Sequence, residues 1–249
     1  YEMGIALQKV YDFVWEEFCD WYIEMVKPRL WDDGNKSQAA AIWTLNTVLI
    51  ESLKLLHPFM PYVTEDLWQR LFSILVDQND NEALIAAARR AISESPEVGR
   101  YYLIVASSQL VAERYEEAEA TLQSGLAIQK IGSDPLMRSE FYTLFGDIAF
   151  RQNRTEEAFA YYDKALENNP QNYGALNNYS YYLALLGKNL DKAERMSGEV
   201  IKANPDNATY LDTYAWVYFK QGRYSLARLY LKKALDLSKE ASAEMYEHY

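Results

Sequence analysis

Cysteine is nearly absent. Cys19 stands alone among 249 residues, so a disulfide framework and a multi-cysteine zinc site are both excluded. Histidine is almost as scarce: His57 and His248 lie far apart, which disfavours a histidine metal site or a catalytic triad. With 10 Gly and 7 Pro beside 49% hydrophobic and 24% charged residues, low-complexity disorder and collagen-like repeats are excluded too. Positive charge is short, 25 Lys+Arg against 36 Asp+Glu. The resulting net charge of −11 favours solubility and works against non-specific nucleic-acid binding. No apolar run is read as approaching the roughly 20 residues of a bilayer span, and no signal peptide opens the chain. The expectation is a soluble, cytoplasmic protein with no membrane role. Strict apolar alternation is missing as well, so the fold class is all-α.

What is plentiful is aromatic residues, unevenly shared. Five of the six Trp (15, 21, 31, 43 and 68) fall in the first 68 residues, while 17 of the 21 Tyr follow residue 64. Two segments of different origin are implied. Val14, Phe18, Trp21 and Met25 mark one face of a first helix, which Pro28 and the run Asp32-Asp33-Gly34-Asn35 are expected to end. Ile42, Leu45, Leu49, Leu53 and Leu56 mark a second, stopped by Pro58 and Pro61. A third is expected from Thr64, a suitable N-cap followed by Glu65 and Asp66.

Beyond that point the chain repeats. Ala118, Ala158, Ala193 and Ala227 recur at spacings of 40, 35 and 34, close to the roughly 34-residue period of a tetratricopeptide helix–turn–helix. Four and seven residues after them stand Leu122 and Gly125, Tyr162 and Ala165, Ser197 and Val200, Leu231 and Ala234. Twelve residues before stand Ala106, Gly146 and Ala215. Pro96, Pro170 and Pro205 close second helices, and the insertion Lys130–Pro135 explains the long first spacing. The register gives units of about 65–98, 99–138, 139–172, 173–207 and 208–241, with a partial unit at 242–249. Stepping one period back makes 80–95 the second helix of the first unit. Its first helix, 65–78, is then also the third helix of the N-terminal segment, shared by both halves.

Two strings carry a further resemblance. YDFVWEEFCDWYIEMVKPRL (Tyr11–Leu30) and LKLLHPFMPYVTEDLWQRL (Leu53–Leu71) resemble the anticodon-binding helical domain of valyl-tRNA synthetases. The resemblance covers residues 1–71 and implies a piece of an all-α bundle, without that family's catalytic, editing or coiled-coil parts, so aminoacylation is not expected. Residues 73–249 resemble bacterial tetratricopeptide-repeat proteins. The architecture expected is a helical-bundle fragment continuing through a shared helix into a TPR α-solenoid. Starting at Tyr1 and stopping at Tyr249 inside helices, such a chain reads as an engineered chimera used as a scaffold; the alternative is a natural fusion.

Catalysis has no candidate. Cys19 reads as a core thiol and His57 as a helix C-cap. Glu116-Glu117 and Glu156-Glu157 sit at helix starts, where they complement the dipole; adjacent helical residues do not face each other. No phosphate loop or metal motif appears, and no cofactor is expected. Binding remains, since the first helices of tetratricopeptide units line a concave surface able to take a peptide or partner helix. The register points Thr143, Asp147 and Arg151, then Asn177, Tyr181 and Ala184, then Asp212, Trp216 and Lys220 into it, and Asn178 beside Asn177 echoes the asparagines of that family's carboxylate clamp. The lysines of a carboxylate clamp are missing, which disfavours acidic C-terminal tails. For tRNA, residues 1–75 carry 6 Lys+Arg against 11 Asp+Glu, and only Lys27 and Arg29 cluster, so tRNA binding is disfavoured. The stripe of Trp15, Trp21, Trp43 and Leu49 is a candidate homodimer face.

Overall fold

The computed structural model describes residues 3–31, 36–56, 66, 69–73, 75–76 and 80–238. The chain divides into two compact units, Tyr1–Ala83 and Leu84–Tyr249. Among the described residues every regular element is helical. Within the helix expected over 65–78, the described residues 66, 69–73 and 75–76 are helical; His57, Thr64 and the partial repeat at 242–249 lie outside the described residues.

In the first unit, α1 (Met3–Asp12) passes into a π-helical stretch, Phe13–Ile23, and then into α2 (Glu24–Leu30). The π register corrects the expected packing face. Its i→i+5 bonds widen the turn beyond 3.6 residues, so a 3.6-period stripe rotates off the interior. Phe18 and Val26 are buried, with Tyr22 stacked on Phe18 at 6.2 Å, whereas Trp21 and Met25 are exposed. Pro28 does not end the helix. It lies inside α2, in the last turn, where the one amide bond it cannot make costs little continuity, and the Trp31 N–H still reaches the Lys27 carbonyl at 3.1 Å.

The next helix, α3 (Gln38–Leu56), packs against α1 and α2 and buries Ala41, Ile50, Ser52 and Leu53. Its start is tied down: Arg29 donates to the Ser37 hydroxyl and carbonyl, and Gln38 donates to the Leu30 carbonyl. By length and composition α3 would be able to cross a membrane, which corrects the reading that no apolar run approaches that size. Its Glu51 and Lys54 pair at 2.8 Å one turn apart. Trp15, Trp21 and Trp43 are exposed, and Leu49 is half-buried.

The second unit is a succession of helix pairs. After α4 (Asn81–Glu94) come α5 (Gly99–Val111) with α6 (Tyr115–Leu126), α8 (Pro135–Arg151) with α9 (Thr155–Asn168), α10 (Tyr173–Leu185) with α11 (Leu190–Ala203), and α12 (Ala208–Lys220) with α13 (Tyr224–Leu237). The insertion after the first pair folds as a single helical turn, α7 (Gln129–Gly132), with Ile131 buried. Ala118, Ala158, Ala193 and Ala227 are all buried where paired helices cross, and so are Leu122, Tyr162, Ser197 and Leu231 one turn on. Small residues there allow the close approach that larger side chains would block.

Pairing is enforced by the turns. Glu113, Asn153, Gly187 and Gly222, each two residues past a first helix, adopt positive φ. The next amide then bonds back across the turn: Arg114 to Gln109, Arg154 to Ala149, Lys188 to Leu183, Arg223 to Tyr218, at 2.8–2.9 Å. These left-handed C-caps satisfy carbonyls that the helix leaves free. The third turn has one extra residue, 186–189, which explains why Ser180, rather than Tyr181, takes the small-residue position held by Ala106, Gly146 and Ala215.

Gly125 is the tightest crossing, since a Cβ there would lie 2.6 Å from Phe141 Cε1 and 3.0 Å from Tyr102 Cγ. Gly125→Val is expected to cost about 1–3 kcal/mol by overpacking, seen as a lowered thermal midpoint in far-ultraviolet circular dichroism. An unchanged midpoint would show that this crossing is slack.

Candidate functional site

Each first helix from α8 onward is started by a side-chain cap. Asp134 accepts from the Leu136 and Met137 amides at 2.9 and 3.4 Å, Asn172 from Ala175 at 2.9 Å, and Asn207 from Tyr210 at 3.1 Å. With their starts fixed, α8, α10 and α12 present a polar depression of about 290 Å³. Asp147 and Arg151 line it from α8, Asn177, Asn178, Tyr181 and Tyr182 from α10, and Asp212 from α12. Six of the nine candidate groove residues, Asn178 included, therefore share one surface, whereas Ala184, which the register also points inward, is buried.

The other three sit elsewhere. Thr143 is buried, donates to the Ser139 carbonyl at 2.8 Å, and accepts from Asn172 Nδ2 at 3.2 Å. It belongs to the hydrogen-bond cluster under the α10 cap. Trp216 stacks on Phe219 with ring centroids 5.2 Å apart, and Lys220 Nζ lies 4.7 Å over the indole. Both rings border a separate pocket with Tyr224 and Arg228 between α12 and α13.

Asp147 is the electrostatic centre of the depression. Tyr162 on α9 donates its hydroxyl to Asp147 Oδ1, and Asn178 Nδ2 lies 3.1 and 3.3 Å from the two carboxylate oxygens. Asn178 is itself held by Asn177 Nδ2 at 3.2 Å. Burial raises the Asp147 pKa from the ordinary 3.8 to about 6, against the opposing pull of the Tyr162 and Asn178 hydrogen bonds and of the Arg151 charge. The partner hydroxyls respond in kind: burial and the Asp147 charge push Tyr162 and Tyr182 upward. Sequence reasoning missed Tyr162 and Tyr182 as parts of this site. Tyr162 occupies a packing position in the repeat, and only its hydroxyl reaches the groove carboxyl.

Away from the groove, Cys19 is half-buried, and burial followed by the Asp20 charge raises its thiol pKa, so the reactive thiolate is disfavoured. Among the described residues no group of three or more His, Cys, Asp or Glu is placed to hold a metal ion.

Residues 1–130, just over half of the chain, match the model of the anticodon-binding domain of tRNA ligases. The chain belongs to that family. Residues 139–172 and 187–242 match tetratricopeptide-repeat models, so both families meet in this one chain. The first match runs past the division at Ala83 and overlaps the α5–α6 pair. Valine–tRNA ligase of Symbiobacterium thermophilum is 43% identical over 143 residues, covering 57% of this chain. That of Clostridium perfringens is 56% identical over 71 residues, covering 28%. The chain spans only 15% and 8% of those relatives' lengths. Among solved structures, PilW, a type IV pilus biogenesis factor, is similar with TM-score 0.58 at 20% identity, over 74% of this chain and 81% of its own. A thermophilic TPR protein of Thermus thermophilus gives 0.57 at 23% identity, over 74% and 96%. At these identities the likeness shows the fold alone.

Lys27 and Arg29, the tRNA-contact candidates, are both engaged within the first unit. Lys27 pairs with Glu24, and Arg29 donates to Ser37. Titrated with labelled valine tRNA at about 50 mM and about 200 mM salt, the chain is expected to show no salt-sensitive anisotropy rise at micromolar concentration. A steep salt slope would instead return the first unit to RNA binding.

The second expectation concerns Asp147. An acid whose pKa is raised by folding binds its proton more tightly folded than unfolded, so its contribution to stability falls as pH rises from about 4 to about 6. Asp147→Asn mimics the protonated form. Its stability advantage over the parent is expected to grow across that window by up to about 3 kcal/mol, from two pH units at ~1.36 kcal/mol each. Denaturant titrations of both proteins at matched pH values check this; a difference that does not vary with pH would mean the carboxyl titrates normally.

Proposed function

We propose that this chain is a non-catalytic helical fusion in which the anticodon-binding-domain segment serves as structural material and the repeat groove binds an extended peptide or partner helix. The depression shared by α8, α10 and α12 carries this reading: three successive first helices offer Asn177, Asn178 and Tyr181 between two carboxyls, a pattern suited to a ligand's backbone and side chains. What supports a join of two parts is that one chain matches both families. The scaffold role follows from a repeat unit whose pairs are each locked by a left-handed turn and a close crossing.

The groove is tested with an array of capped nonapeptides of randomised sequence. The chain is expected to retain a subset at micromolar concentration. The double variant Asn178→Ala, Tyr181→Ala is expected to lose about tenfold in affinity, ~1.4 kcal/mol, with an unchanged helical signal. Equal retention by parent and variant would place binding outside this groove.

A further inference from the structure

Carboxylates outnumber cations in the groove. Asp147 and Asp212 both line it, and Asp212 is only 8% exposed. Arg151 is the one cationic residue of the lining, exposed a helical turn beyond Asp147 on the same face of α8. Asn177 adds a second, independent observation. The residue is 6% exposed, its Nδ2 is spent on Asn178, and its Oδ1 is buried with no hydrogen-bond partner. A buried carbonyl oxygen in that condition carries the cost of lost hydration, which a ligand N–H would relieve. Asp147 keeps acceptor capacity as well: a carboxylate offers about four lone-pair sites, and Tyr162, Asn178 and Tyr182 are the side chains that donate to it. The half-buried ring of Tyr181 lies against Tyr182 with centroids 5.6 Å apart and offers an aromatic wall to a cation.

We propose that the groove selects a peptide through one basic side chain, whose cationic head is received by Asp147, Asp212 and the Asn177 carbonyl oxygen. The inference rests on the groove reading given above and narrows it to a ligand class. It is the opposite charge preference to a clamp for acidic tails. Arginine fits best, because its planar fork can donate to several acceptors at once. A pH dependence follows. The groups facing Asp147 are Arg151 on its own helix, Tyr162 from α9, Asn178 and Tyr182 from α10, with Asp212 sharing the depression from α12. Burial raises the Asp147 pKa to about 6, so lowering the pH from about 7.5 to about 5 protonates this carboxyl and removes its negative charge from the groove.

Four pools of capped, otherwise randomised nonapeptides, with the central residue fixed as Arg, Lys, norleucine or Glu, are compared by anisotropy. The Arg and Lys pools are expected to bind about tenfold more tightly than the norleucine and Glu pools at about pH 7.5. That preference is expected to shrink at about pH 5 and to be largely lost in Asp212→Asn. Asp147→Asn, a nearly isosteric change at a separate position, provides a second variant with the same expectation. Equal binding of all four pools, or preference for Glu, overturns the charge inference while leaving the groove reading intact. Binding by none of the pools overturns both.

Discussion

The close crossing of two helices at a buried alanine is the constraint from which the second unit follows. Ala118, Ala158, Ala193 and Ala227 let each second helix approach the first near enough for Leu122, Tyr162, Ser197 and Leu231 to fill the space one turn further on. Because each pair contacts chiefly its neighbours, these crossings repeat as local units and stability accumulates along one dimension. The groove is a by-product. Once second helices are packed behind, the outer faces of α8, α10 and α12 are left side by side, and whatever polar residues stand there share one surface.

Much of this was legible because steric demands leave a mark on residue size. Alanine or glycine at fixed spacing is a record of approach distance, so the repeat register pointed Asp147, Arg151, Asn177, Tyr181 and Asp212 to the same side. Thr143 and Trp216 show where the register stops. Both lie on the inward arc, yet one side chain is taken by the Asn172 cap and the other leans onto Phe219, choices made by neighbours that spacing does not encode.

The first unit was less legible for a physical reason. A stripe of apolar residues predicts a buried face only if the helix turns every 3.6 residues, and Phe13–Ile23 does not. Trp21 and Met25 are carried outward while Tyr22 and Val26 move in. The left-handed turns were hidden for another cause: Glu113 and Asn153 hold a conformation that glycine holds at 187 and 222, and glutamate gives no hint of it.

The uneven aromatic inheritance has an optical consequence. Indole emission from this chain arises mainly before residue 69, where Trp15, Trp21, Trp31 and Trp43 already face water. Trp216 is the sole indole of the repeat unit, stacked on Phe219 beneath the Lys220 ammonium, which sets its local polarity apart. The tyrosines of the repeats, packed in contacting pairs such as Tyr162–Tyr179 and Tyr214–Tyr218, form a separate chromophore population. Indole emission therefore weights the first unit, while 17 of the 21 tyrosines weight phenol absorption toward the repeats.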